Sequence, residues 1–154
     1  MTMEYRSIRK CFPTKRDVFF VSPDASVLTA LEILAEKDVG ALLVMQGDKV
    51  VGIISERDCV RKGERLGRSA RDTAVREIMT KQVYYVTPDD TIDKCAVIMR
   101  QNRLRHLPVV ENGQVVWVMS IRDIFEEMIV EEEHHIHELD KDRLSILNDA
   151  SGNY

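Results

Sequence analysis

One segment of the chain is written twice. Val18 to Asp58 realigns without a gap on Val83 to Asp123, at a constant offset of 65 positions (123 − 58 = 65). Val18-Phe19-Phe20-Val21-Ser22-Pro23-Asp24 returns as Val83-Tyr84-Tyr85-Val86-Thr87-Pro88-Asp89, and Ser55-Glu56-Arg57-Asp58 returns as Ser120-Ile121-Arg122-Asp123. Each copy alone is near the lower size limit for burying an adequate core, so the two are expected to pack on each other. A site at their contact should then come in pseudo-symmetric pairs. The polar matches inform most, because core packing alone does not require Ser, Arg and Asp to recur together.

Hydropathy gives each copy the order β-α-β-β-α. Val18 to Val21 and Val83 to Val86 are short β-prone runs. Ser26 and Thr91 are placed to cap helices whose apolar residues, Val27, Ala30, Leu31 and Leu34, and Ile92, Cys95, Ala96 and Met99, fall at helical spacing. Ala41 to Met45 and Val50 to Ile54 flank Gln46-Gly47-Asp48-Lys49, and Leu107 to Val110 and Val115 to Met119 flank Glu111-Asn112-Gly113-Gln114. Both pairs read as hairpins, the second through the Asn-Gly signal. Ser55 and Ile121 begin further helices. The expected fold class is α+β, with two pseudo-symmetric repeats packed through their sheets. The expected divisions are repeat 1 at 12–66, repeat 2 at 74–130 and a helical tail at 131–154. Lys62 to Asp72 serves as a linker, and Val75 to Met79 as a helical lead-in.

Charge and composition narrow the function. With 22 basic and 26 acidic residues the formal net charge is −4, which argues against a general nucleic-acid surface. No apolar run approaches a membrane span, and Met1-Thr2-Met3-Glu4-Tyr5-Arg6 lacks the apolar stretch of a signal peptide. Cys11, Cys59 and Cys95 form no CxxC; free thiols in a reducing cytoplasm are expected. GxSxG, HExxH, Walker and GxGxxG patterns are absent, so no catalytic residue, catalytic cofactor or metal site is expected.

Two constellations remain. Ser55-x-Arg57-Asp58 and Ser120-x-Arg122-Asp123 can be helix caps, with Ser satisfying a first-turn amide. They can equally form a ligand site. A carboxylate one turn into a helix can accept both hydroxyls of a ribose, and Ser with backbone amides can hold a phosphate. Arg103-Leu104-Arg105-His106 precedes a buried strand and reads as a phosphate clamp, facing the helix start of its own copy. The first copy has uncharged Gly40 and Ala41 opposite Arg105 and His106. His134, His135, His137 and Glu138 have helical metal-ligand spacing but fit a solvated tail better.

The repeated β-α-β-β-α order, the Ser-x-Arg-Asp endings and Arg105-His106-Leu107-Pro108-Val109 resemble a tandem cystathionine-β-synthase (CBS) domain pair, or Bateman module, of the small stand-alone bacterial kind. The resemblance implies a non-enzymatic sensor binding an adenine nucleotide such as AMP, ATP or NAD between repeats, for energy sensing or signal transduction. It also implies a homodimer through the repeat helices and an effector protein of unknown identity. Under it Asp58 and Asp123 bind ribose, and Ser55 and Ser120 approach ribose or phosphate. Val18, Phe20, Val83 and Tyr85 meet the adenine edge, while Arg105 and His106 lie near phosphates. Gly40 and Ala41 form a roomier wall. Arg122, where such proteins often have Gly, clamps a phosphate or obstructs the site, and Trp117 replaces the small residue found as Gly52. The alternative is a constitutive dimerisation scaffold with degenerate sites; a more remote one is a metal-dependent enzyme using the histidine tail.

Overall fold

The computed structural model describes residues 6–130, 132 and 133. They belong to two compact units, Met1–Ser120 and Ile121–Tyr154. The first unit runs α1 (Ile8–Cys11), β1 (Phe20–Val21), α2 (Val27–Lys37), β2 (Ala41–Gln46), β3 (Lys49–Ser55), α3 (Glu56–Asp58), α4 (Val75–Ile78), α5 (Ile92–Asn102), β4 (His106–Glu111) and β5 (Gln114–Ser120). The second contributes a helix at 121–130, α6. The content is α+β, with the expected duplication.

Local sequence explains the elements. Ser26 accepts from Thr29 N at 3.1 Å and Thr91 from Lys94 N at 3.1 Å, capping α2 and α5. Both helices bury the same stripe, Val27, Ala30 and Leu34 in one and Ile92, Cys95 and Met99 in the other. Both end on a left-handed residue, Asp38 at φ 52 and Arg103 at φ 55. The β2–β3 and β4–β5 hairpins turn at Gly47 and at Asn112-Gly113, all with positive φ. The two ladders slip at equivalent points, Val44/Met45 and Val109/Val110. The core of the first repeat gathers Val21, Leu42, Val44 and Ile54 with α2 and with Val75 and Ile78.

The first strands are shorter than expected. β1 pairs in parallel with β2 over two residues, while Val83 to Val86 contributes one bridge, Val86 to Val109. Pro108 supplies the reason. Its counterpart Leu43 donates its N–H to Phe19 O at 3.2 Å. Pro108 has no N–H, so the ladder stops at Val86, which donates to Pro108 O at 3.0 Å. The helix expected from Ser55 is also short. After α3 the chain widens into a π turn, Cys59–Gly63, then tightens into a 3₁₀ turn, Glu64–Leu66.

The lead-ins are crossed. Val75 N donates to Ala25 O, Arg76 N to Pro23 O, and Val27 N to Thr73 O, at 2.8, 3.0 and 2.9 Å, so α4 completes the first repeat. At the positions 65 further on, Ile8 N donates to Asp90 O, Arg9 N to Pro88 O, and Ile92 N to Arg6 O, at 2.9, 2.9 and 3.0 Å. The segment ahead of the first repeat therefore completes the second. The ion pairs follow the same exchange, Arg76 with Asp24 and Arg9 with Asp89.

Cys59 and Cys95 are buried core thiols. Burial pushes them up, to about 11 and about 12. Because the thiolate is the reactive form, a thiol-exchange reagent at pH 8 should leave both unmodified in the folded chain and label them only on unfolding. Rapid labelling of either in the native state would contradict this placement.

Candidate functional site

A cleft of about 580 Å³ opens in the first unit, lined by residues of both repeats, a size suited to a small-molecule ligand. The first repeat supplies Gly40, Ile53 and the run Ser55 to Asp58, followed by Arg61 and Lys62. Thr80 and Gln82 come from the stretch after α4. The second repeat supplies Val83, Tyr84, Arg103 to His106, and Pro108.

Ser55 and Asp58 form a reciprocal cap. Asp58 N donates to Ser55 Oγ at 3.1 Å, while Asp58 Oδ2 accepts from Ser55 N and from Ser55 Oγ, both at 3.0 Å. The capping reading is thus satisfied in full, and it occupies only one carboxylate oxygen. Oδ1 pairs with Lys62 Nζ at 3.3 Å. Lys62 also donates to Ile78 O at 3.3 Å and to Thr80 Oγ1 at 3.4 Å. The second oxygen of Asp58 is therefore held by a side-chain cation rather than by backbone, and a diol can take its place. α3 spans only three residues, so the anion attraction expected from a helix terminus gives way to side-chain charge.

That charge is dense. Arg57, Arg61, Lys62, Arg103 and Arg105 line the cleft with His106, against Glu56 and Asp58. Desolvation lowers the Arg57 guanidinium below its usual range, and the neighbouring Arg61 and Arg105 charges add to this while Asp58 opposes it. Gly40 allows the close approach of His106: a Cβ there would lie 2.9 Å from His106 Nε2.

Of the residues singled out in the sequence, Gly40, Ser55, Arg57, Asp58, Val83, Arg105 and His106 meet in this cleft. Arg105 and His106 reach the helix start of the first repeat, whereas the sequence pointed to that of their own. Val18, Phe20, Ala41 and Tyr85 are not among its lining residues. Phe20 and Tyr85 are 61% and 62% exposed, and Ala41 is buried. Tyr84 lines the cleft and Tyr85 does not. Ser120 ends β5, opposite His106 in the ladder. Arg122 and Asp123 belong to the second unit, where Arg122 Nε pairs with Glu126 Oε1 at 3.4 Å. Arg61, Lys62, Thr80 and Gln82 were not anticipated. The first two stand four residues after Arg57 and Asp58, a spacing that marks one helical face.

Near Trp117, the N-terminal segment replaces the small-residue packing of the first repeat. Phe12 packs against Trp117 with the rings tilted at 56° and their centroids 4.8 Å apart, and Arg16 lies 4.7 Å over the Trp117 ring. Among the described residues no helix is long and apolar enough to cross a membrane, and no group of three metal-ligating side chains assembles. The histidine tail, His134 to Glu138, lies outside the described residues.

The CBS domain family matches the chain at residues 8–65 and 75–135. The CBS domain-containing protein CBSX3, mitochondrial, of Arabidopsis thaliana is 33% identical over 121 residues, covering 75% of this chain and 59% of that protein. An inosine-5'-monophosphate dehydrogenase of Thermoplasma acidophilum is 33% identical over 113 residues, 71% of this chain but 21% of the enzyme. The chain thus spans less than two thirds of the length of either. A solved CBS-domain-containing protein from Agrobacterium tumefaciens superposes with a TM-score of 0.68 at 36% identity, covering 72% of this chain and 89% of that one. The CBS domain pair of protein MJ0100, solved with 5-methylthioadenosine and S-adenosyl-L-methionine, shares the fold at 24% identity and a TM-score of 0.66, covering 75% of this chain and 91% of that chain.

Proposed function

The chain belongs to the CBS domain family, and from that premise we propose that it is a non-enzymatic regulatory module binding an adenine nucleotide, of AMP, ATP or NAD type, in the cleft at Asp58. One observation carries the reading: a carboxylate with one exchangeable oxygen shares a cleft of about 580 Å³ with a set of guanidinium groups. That combination suits a ribose diol at one end and phosphate at the other. The adenosine ligands named for the MJ0100 pair support the same class. Ligand would favour one arrangement of the repeats, and an effector in the cytoplasm would read it; only differential affinity for the two arrangements can do this. Arg122 and Asp123 would serve a second, unequal site.

Asp58→Ala is expected to weaken nucleotide binding by about tenfold or more, the worth of a charge-assisted hydrogen-bond pair, while the chain stays folded. Calorimetry with AMP, ATP, NAD and S-adenosylmethionine measures this. Unchanged affinity in Asp58→Ala, Asp123→Ala and the double variant would sink the assignment.

The scaffold reading has support of its own. Ile121, Phe125, Met128 and Ile129 of α6 are exposed, at spacings that place them along one helix face. They suit a homodimer through the repeat helices. A thermal-shift panel separates the readings: saturable stabilisation by one nucleotide class favours sensing, and none across the panel favours a constitutive scaffold.

A further inference from the structure

Resting on the nucleotide reading of the cleft, we propose that this chain selects by phosphate number. The cleft takes a nucleoside di- or triphosphate in preference to the monophosphate, and Arg57, Arg61 and Arg105 receive the outer phosphates.

The duplication provides an internal comparison. Arg57 and Arg122 occupy the same position of the repeat, and so do Asp58 and Asp123. Four residues on, the copies part. Position 126 is Glu where position 61 is Arg, and position 127 is Glu where position 62 is Lys. In the second repeat the Arg is neutralised within its own helix, Arg122 Nε to Glu126 Oε1 at 3.4 Å. In the first repeat Arg57 faces Arg61 instead, and like charges at this spacing repel. Arg105 arrives at the same cleft from a distant segment and adds to the repulsion.

Among the described residues, none of these three guanidinium groups forms a salt bridge. Lys62 is differently placed, since it is committed to Asp58 and to the 78–80 segment. Of the five Lys and Arg side chains that line the cleft, these four therefore divide by role. Lys62 stands at the carboxylate that would hold a ribose, and the three arginines share its cleft without a salt bridge among the described residues. A solvated basic face would account for Arg57 and Arg61 alone. It would not account for a third guanidinium converging from the other repeat, nor for acidic residues at the matching positions of the copy. A single phosphate can neutralise only part of this charge, and each additional phosphate adds charge and bidentate acceptors that guanidinium groups match in geometry.

Calorimetry of the full chain with adenosine, AMP, ADP and ATP tests the proposal. Affinity should climb along the series, by about tenfold or more from AMP to ATP if each added phosphate gains a charge-assisted contact. The gain should shrink as salt rises. Arg61→Glu, which reproduces the charge at position 126, should flatten the series by weakening ATP far more than adenosine. Paired Arg57→Met and Arg61→Met substitutions should do the same and serve if charge reversal disturbs folding. Equal affinity for AMP and ATP, with binding still lost in Asp58→Ala, would overturn phosphate counting and leave the nucleotide site standing. A series that survives both Arg variants would overturn the residue assignment. Binding of none of the four ligands would overturn both.

Discussion

Gly52→Val is expected to lower the unfolding free energy by about 3 kcal/mol, the upper end of what overpacking costs. A Cβ at position 52 would lie 2.7 Å from Met79 Sδ and 2.9 Å from the Thr80 carbonyl oxygen. The methionine can move aside, since its thioether is flexible. The carbonyl cannot. It accepts from Ile53 N at 3.0 Å, while Thr80 N donates to Ile53 O at 2.8 Å, a reciprocal bridge that closes the edge of β3. Chemical denaturation measures the loss, and hydrogen exchange at Ile53 and Thr80 locates it. Native exchange at both amides in the folded variant would show that the bridge tolerates a side chain. Thr80 and Gln82 line the cleft, so the same substitution should weaken ligand binding as well. The copy shows what happens without the constraint. Trp117 occupies the position of Gly52, and its ring packs on Phe12 and under Arg16.

Much of this was legible in the sequence, because a duplication tests each local reading twice. The caps at Ser26 and Thr91, the two hairpins and the stripes of α2 and α5 recur at matched positions, and propensity, period and turn chemistry agree at each. What failed was set by partners distant in sequence. Nothing in Val83 to Val86 betrays that its strand stops at one bridge; the cause is Pro108, a residue that cannot donate. Arg105 was read as a phosphate clamp facing the helix start of its own copy, whereas the cleft it lines contains the helix start of the first repeat. Its charge is local information, but the neighbour it meets depends on how the repeats pack. Lys62 was read as the start of a linker, and Arg61 was not singled out, although both stand four residues after Arg57 and Asp58. Their meaning came from comparison with Glu126 and Glu127 and from the cleft they line.

Deleting residues 1–12 should destabilise the second repeat by about 4 kcal/mol or more, and leave the first much less affected. Ile8 is 3% exposed, and losing a buried side chain of that size costs about 2–5 kcal/mol. Three backbone hydrogen bonds to Pro88, Asp90 and Ile92 go with it, each worth about 1 kcal/mol net. Arg9 would also leave Asp89 and Glu111, the latter contact being 2.7 Å; both pairs are exposed and add little. Hydrogen exchange should quicken at residues 88–92 and hold near native rates at 23–27, where α4 remains in place. Ile8→Ala should reproduce the pattern in weaker form. Equal loss in both repeats, or loss confined to the first, would contradict the crossed docking. The crossing would bear on the proposed regulation because it links segments 80 positions apart, as in Arg9 to Asp89. Each repeat depends on a lead-in that chain connectivity ties to the other. The α4 lead-in continues directly into Thr80 and Gln82 of the cleft, and Lys62 holds it there through Ile78 and Thr80. A ligand that draws Asp58 away from Lys62 would loosen that hold, and the first structural element to respond would be the one joining the two repeats.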